Sequence, residues 1–267
     1  MSYRCDADLE FLSKCSDSDL QDLFECLIKD KDGDYRLTEM LTTLDSYKQN
    51  YPHHSKYWKE LADELQSFGG NTFVNFFRRG GVLYKEVLTD VCEKLNVNFN
   101  KNSSTELIER YMFQKLFSDV VENMDEADRK QLYDSISRST ADSILDYKPQ
   151  ALNSIAMVAF KAGGFASYKI AVIVANFVWK LIFGKGLSFV ANQTLTKALS
   201  LWSGPIGWVI TGAWTALDIA GPAYRVTIPA VIQVALLRMK IKEETGNQLL
   251  VLPQKSCYLK IGSENCH

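Results

Sequence analysis

Residues 214–240 read "WTALDIAGPAYRVTIPAVIQVALLRMK", and where this stretch lies decides the fold. It is apolar enough for a bilayer, yet it carries Asp218, Arg225, Pro222 and Pro229. A proline inside a helix removes a hydrogen-bond donor, and a charge near a bilayer centre costs about 2.5–3.5 kcal/mol on insertion scales. The stretch therefore divides at Gly221-Pro222 into two helices, with Pro229 inside the second. Asp218 and Arg225 stand seven residues apart and are the natural ion pair of the region. Paired, they lower the cost of burial; unpaired, each is a candidate functional group.

The surrounding sequence has the same character. From Ala151 the chain reads as hydrophobic helices broken by glycine and lysine: "ALNSIAMVAFKAGG", "FASYKIAVIVANFVWKLIFGKG", "LSFVANQTLTKALSLW" and "SGPIGWVITGAW". The longest uncharged window, Ala198 to Leu217, has the 20 residues that a spanning helix needs, but Gly204-Pro205, Gly207 and Gly212 interrupt it. Lys180 and Arg225 stand in the windows beside it. None of these segments reads as a constitutive anchor.

Charge divides the chain more sharply than its net −2 implies. Residues 1–146 hold 28 Asp and Glu against 18 Lys and Arg, whereas residues 147–242 hold Asp218 as their only acid against ten Lys and Arg. Few runs alternate with the period of a strand, so an all-α protein is expected, and the charge asymmetry divides it into three parts. They are an acidic helical domain at 1–147, a hydrophobic basic helical region with kinked hairpins at 148–242, and a flexible polar tail at 243–267. Pro149 marks the boundary.

The acidic part shows helical punctuation throughout. "SDSDLQDLFECLIK" offers Ser16 or Ser18 as an N-cap and sets Leu20, Leu23, Phe24 and Leu27 on one face. "YPHHSKYWKELADELQSFGG" has Pro52 near its start and Gly69-Gly70 as a stop. Further helices are predicted from about Leu83 to Leu95, after Ser104 or Thr105, and over "DEADRKQLYDSI".

Six scattered cysteines without a CxxC pair read as reduced thiols, and the charged N-terminus has no signal-peptide core, so a cytoplasmic protein is expected. A membrane would then be met at its inner face.

No motif carries chemistry here. "DKDGDYRLTEM" places Asp30, Asp32 and Asp34 as in a calcium loop, but Tyr35 and Leu41 stand where glycine and glutamate are required, so a polar turn is expected. His53 and His54 are adjacent and point about 100° apart on a helix, which reads as surface polarity. "GKGLS" at 184–188 lacks the phosphate-loop pattern and reads as a basic turn between apolar helices. No nucleophile elbow or dinucleotide fingerprint is present, which disfavours an enzyme, and no cofactor or metal is expected. The lysines of the basic region are spread singly, which fits lipid headgroups rather than nucleic acid.

The most pointed polar cluster is "FGGNTFVNFFRRGGVLYKEVLTDV", 68–91, where Asn75, Arg78, Arg79 and Tyr84 form a candidate corner for an anion or a protein partner. A helix-turn-helix packing corner is the alternative. Together with "DADLEFLSKCS", "NMDEAD" and "GPAYRVTIPAVIQVALLRM", this segment resembles the bacterial YaaW-like proteins, grouped with the ubiquinol-cytochrome c chaperone domain. The resemblance covers roughly residues 6–240. It carries over Phe68, Gly69, Gly70, Asn75, Arg78, Gly81, Tyr84, Tyr224, Arg225, Thr227 and Pro229, and implies a helical assembly-factor fold without agreed catalytic residues.

Two functions compete. In the first, the acidic domain controls a helical region that inserts conditionally into a membrane with an anionic leaflet or forms a pore in it, with or without oligomerisation. Trp179, Trp202, Trp208 and Trp214 then serve as interface residues, and Asp218, Tyr224, Arg225, Pro229, Trp208 and Trp214 as the switch. In the second, residues 148–242 are the buried core of an assembly factor that binds a protein partner. Mean hydropathy of −0.13 is ordinary for a protein of the second kind.

Overall fold

The computed structural model describes residues 3–30, 32–36, 40–69, 81–122, 124–137, 151–188 and 224–251. These form the helices α1 (Asp17–Ile28), α2 (Asp45–Asn50), α3 (Trp58–Gly69), α4 (Tyr84–Lys94), α5 (Thr105–Glu122), α6 (Glu126–Ser137), α7 (Ala151–Ala162), α8 (Gly164–Phe183) and α9 (Tyr224–Val251). Single 3₁₀ turns precede α1, α2 and α3. No strand occurs among the described residues, so the protein is all-α; Lys29 and Tyr35 form an isolated bridge.

Local chemistry explains where the helices begin. Ser16 caps α1 by accepting from the Asp19 N–H, and the Asp19 carboxylate accepts from the Ser16 N–H in return. Asp6 caps α4 from a distance, accepting the Tyr84 N–H at 2.7 Å. Ser104, not Thr105, serves α5 by accepting from the Leu107 N–H, while the Thr105 hydroxyl donates to Asp8. Asp125 accepts from the Asp128 N–H at the start of α6. Just before α4, Gly81 makes a close approach that only glycine allows, since a Cβ there would lie 2.6 Å from the Gln66 Cβ.

The core is built around α8 and α9. Residues 170–179 of α8 and 226–238 of α9 are buried without interruption. A helix that is apolar all round satisfies itself only by being covered on every side. α9 is so covered: it packs against α8, α1, α4, α3 and α5. The second half of the opening stretch is thus the central helix of a protein core, and Pro229 is buried within it. Each buried Leu, Ile or Val of this helix contributes roughly 1.5–3 kcal/mol.

The membrane reading gains no support from these elements. Among the described residues no helix is long and apolar enough to cross a bilayer. Trp179, expected at a lipid interface, is 1% exposed and packs on Phe183 at 4.4 Å between ring centres. The Gly221-Pro222 break lies outside the described residues.

α7 and α8 pack on each other and meet at Gly163 and Gly164, whose φ angles of 72° and 68° belong to the left-handed region. The "GKGLS" segment is the expected basic turn. Gly184 ends α8 in a left-handed cap, Lys185 pairs with Glu25, and the Ser188 N–H donates to Asp22 of α1.

Candidate functional site

The polar chemistry concentrates where α9 leaves the core, in "LLRMKIKEE". Arg238 and Lys242 are four residues apart and share a face; Lys240 points the other way. On α5, Glu106 and Glu109 are three apart and face α9, so Arg238 meets Glu109 and Lys242 meets Glu106. Lys240 meets Asp19 of α1 and lies 3.4 Å from Glu244.

The Arg238 cluster is the most deeply buried. Its Nε donates to both Glu109 oxygens at 2.9 and 3.2 Å, and its Nη2 donates to the Asp8 carbonyl at 2.6 Å. The guanidinium lies 4.5 Å from the centre of the Phe11 ring and 5.7 Å from that of Tyr84. The Tyr84 hydroxyl donates to Glu109 at 2.8 Å. Burial lifts the Tyr84 phenol well above its ordinary value, with Glu109 adding to the rise, so it remains a donor. Burial likewise raises the Glu109 carboxyl, against the pull of Arg238 and Tyr84. Burial also works against the Arg238 charge, but Glu109, Tyr84 and Asp8 together more than offset it and raise the guanidinium above its ordinary value. Both Glu109 oxygens are occupied, so this carboxylate is a poor acid or base toward an incoming substrate. The cluster is built to hold elements together and to present a cation.

A cavity of about 300 Å³ adjoins it, lined by residues of α5, α9 and the α7–α8 corner. Arg238 lines this wall, and its Nη1 donates to no described protein group. Arg110 lines the same wall.

A second buried polar group lies elsewhere. His53 is exposed and pairs with Asp17 at 2.9 Å, but His54, expected at the surface, is 1% exposed. Its Nε2 donates to Gln21 Oε1 at 2.8 Å and its Nδ1 accepts from the Tyr57 hydroxyl at 2.6 Å. The Gln21 amide nitrogen is already given to Glu25, which fixes the tautomer. Asp30 Oδ1 accepts from the Asp32 and Asp34 N–H groups, closing the polar turn on itself.

Of the residues singled out by sequence, Tyr84 falls within the Arg238 cluster. Tyr224 is half-buried with Lys94 Nζ 5.6 Å from its ring centre, Arg225 is exposed, and Thr227 and Pro229 are buried. Asn75, Arg78, Arg79, Trp208, Trp214 and Asp218 lie outside the described residues. Arg238, Glu109, Lys240, Asp19 and His54 were missed. The signal for the first four was the alternation of bases in "RMKIK" directly after an apolar run too long to end at a surface.

Fold and site together define an all-α protein in which ion pairs join α1 and α5 to the C-terminal helix α9. The chain is 50% identical over 243 residues, 91% of its length and 95% of the relative's, to a UPF0174 protein of Helicobacter pylori strain J99. It is 28% identical over 244 residues, 90% of its length and 97% of the relative's, to the UPF0174 protein YaaW of Escherichia coli K12. The chain belongs to the UPF0174, YaaW-like family. Residues 53–232 match the family model described as ubiquinol-cytochrome C chaperone, and residues 3–37 match a domain of unknown function, DUF3944. No solved structure matches.

Proposed function

We propose that this protein is a non-enzymatic assembly factor that binds a protein partner, with residues 148–242 serving as core to the acidic helices. One observation carries the reading: the basic region uses its charge inside the molecule. Arg238–Glu109, Lys240–Asp19, Lys242–Glu106 and Lys185–Glu25 each join a base of that region to an acid of residues 1–146. Insertion of α8 and α9 into lipid requires all four pairs to open and the acids of two buried pairs to lose their partners. The match to the chaperone model supports a protein as the partner.

In-cell chemical crosslinking of the tagged full chain tests this. A discrete covalent complex heavier than the 30.2 kDa chain, containing one reproducible second protein, is expected. Recovery of the chain with floated anionic vesicles and without any crosslinked protein overturns it.

A further inference from the structure

We propose that the corner between α7 and α8 is the docking site for the partner, and that the partner presents an apolar helical segment followed by an acidic side chain. This rests on the protein-binding reading above. Met157, Val158 and Phe165, 49, 66 and 52% exposed, stand within nine residues of chain at this corner. Met157 and Val158 share the outer face of α7 with exposed Lys161 and Ala162, one turn on. The other side of that helix is buried at Leu152, Ala156, Ala159 and Phe160. The corner thus turns large apolar side chains outward although α7 has a filled inward face.

The chemistry of the occupant follows from charge and from the cavity. Residues 151–188 contain no Asp or Glu, and of their four lysines Lys185 pairs with Glu25, Lys169 and Lys180 are engaged, and Lys161 stands exposed beside the outward apolar residues. Gly163 and Gly164, between the outward apolar residues, also line the 300 Å³ cavity, a volume at the small end of ligand sites and large enough for one inserted side chain. Of the acids on its wall, Glu109 is taken by Arg238, Glu106 by Lys242, and Glu243, whose Oε2 would lie 3.7 Å from a Cβ at Gly164, is engaged as well. Arg238 Nη1 and Arg110 have no acceptor among the described protein groups. A carboxylate entering past Gly163-Gly164 meets the guanidiniums of Arg110 and Arg238, the second nine-tenths buried and fixed by three hydrogen bonds. An apolar helix face laid on Met157, Val158 and Phe165 brings such a carboxylate to that mouth.

The test pans a displayed library of random 12-residue peptides against the full chain. The strongest binder is then titrated, as a labelled peptide, against the wild type, Val158→Glu, Phe165→Glu and Arg110→Glu. All three positions are solvent-facing or half-buried, so unchanged circular dichroism and melting are expected and are checked first. The expected result is enrichment of peptides with apolar residues at helical spacing and an Asp or Glu, with affinity lowered about tenfold or more by each variant. Affinity for the peptide also falls with salt. Selected peptides that bind all variants alike overturn the inference while leaving the protein-binding reading intact. So does selection of peptides without acids. Absence of any peptide, with binding of phosphatidylglycerol vesicles that Val158→Glu abolishes, overturns it in favour of a lipid surface. The general reading fails separately, when crosslinking of the full chain finds no protein.

Discussion

The basic end of α9 and the α7–α8 corner start from the same raw material: apolar residues, single lysines or arginines, and few acids nearby in sequence. In α9 every one of the bases Arg238, Lys240 and Lys242 finds an acid, from α5 or α1, more than a hundred residues away. At the corner the distant chain brings the Glu243 carboxylate close to Gly164, but Met157, Val158 and Phe165 stay outside. The difference lies in what the distant chain supplies. Local composition sets which residues need a partner, and topology decides whether the molecule provides it or leaves it to another.

The largest expected effect comes from making the α9 end resemble the corner. Glu109→Ala leaves the Arg238 guanidinium buried without a counter-charge, which lowers stability by about 3–5 kcal/mol. Replacing both by leucine removes the charge as well as its partner, so much of the loss returns. Urea unfolding of Glu109→Leu, Arg238→Leu and the double leucine variant, beside Glu109→Ala, measures this. Additive losses would show that the two residues do not act as a pair.

The contrast also explains what sequence could reveal. The helices, Ser16 as a cap and the polar turn at Asp30 were legible because each depends on residues within a few positions. The depth of "TIPAVIQVALL" was legible as a conflict between apolarity and charge, but not its resolution, because Glu109 and Asp19 lie far off and look like ordinary surface acids. His54 was hidden for the same reason, since Gln21 and Tyr57 satisfy it only in the folded state. The Arg238 cluster ties together Asp8 and Phe11 from the segment matched by DUF3944 and Tyr84 and Glu109 from the chaperone match. Arg238 itself lies beyond both matched segments.

His54 extends the comparison to a neutral group, with an intermediate effect. Tyr57→Phe leaves the buried Nδ1 without a donor and lowers stability by about 1–3 kcal/mol at pH 8. In the wild type, burial holds the His54 pKa below its ordinary 6.5, with the neighbouring acids opposing. The fold thus favours the neutral ring. Its contribution is complete above pH 6.5 and is lost as pH falls through the lower folded value. Asp17 acts in a separate window. Hydrogen bonds from Ser55, aided by His53, hold it at about 2 against 3.8, so its contribution persists above pH 3.8 and fades toward pH 2. Urea midpoints between pH 8 and pH 5 should fall in the wild type and flatten in His54→Gln. An unchanged slope would assign that loss to another group.

Lys242 supplies the smallest effect and the sharpest internal control. It is on the same face of α9 as Arg238, one turn further out, and pairs with Glu106, one turn from Glu109, so helix, partner helix and spacing are shared. Burial differs most, beside the change of base and the extra contacts of Arg238 with Asp8, Phe11 and Tyr84: the Lys242 and Glu106 side chains are 60% and 45% exposed, those of Arg238 and Glu109 10% and 3%. Water solvates both partners of the outer pair in the unfolded and folded states alike, so Lys242→Ala changes stability by about 0–1 kcal/mol, less at high salt. A loss as large as that of Glu109→Ala would mean that charge pairing along the whole α5–α9 seam, rather than burial, sets the strength of the lock. With the expected small loss, the lock resides in the last buried turn of α9, and the outer pair fixes little beyond the register of the helix.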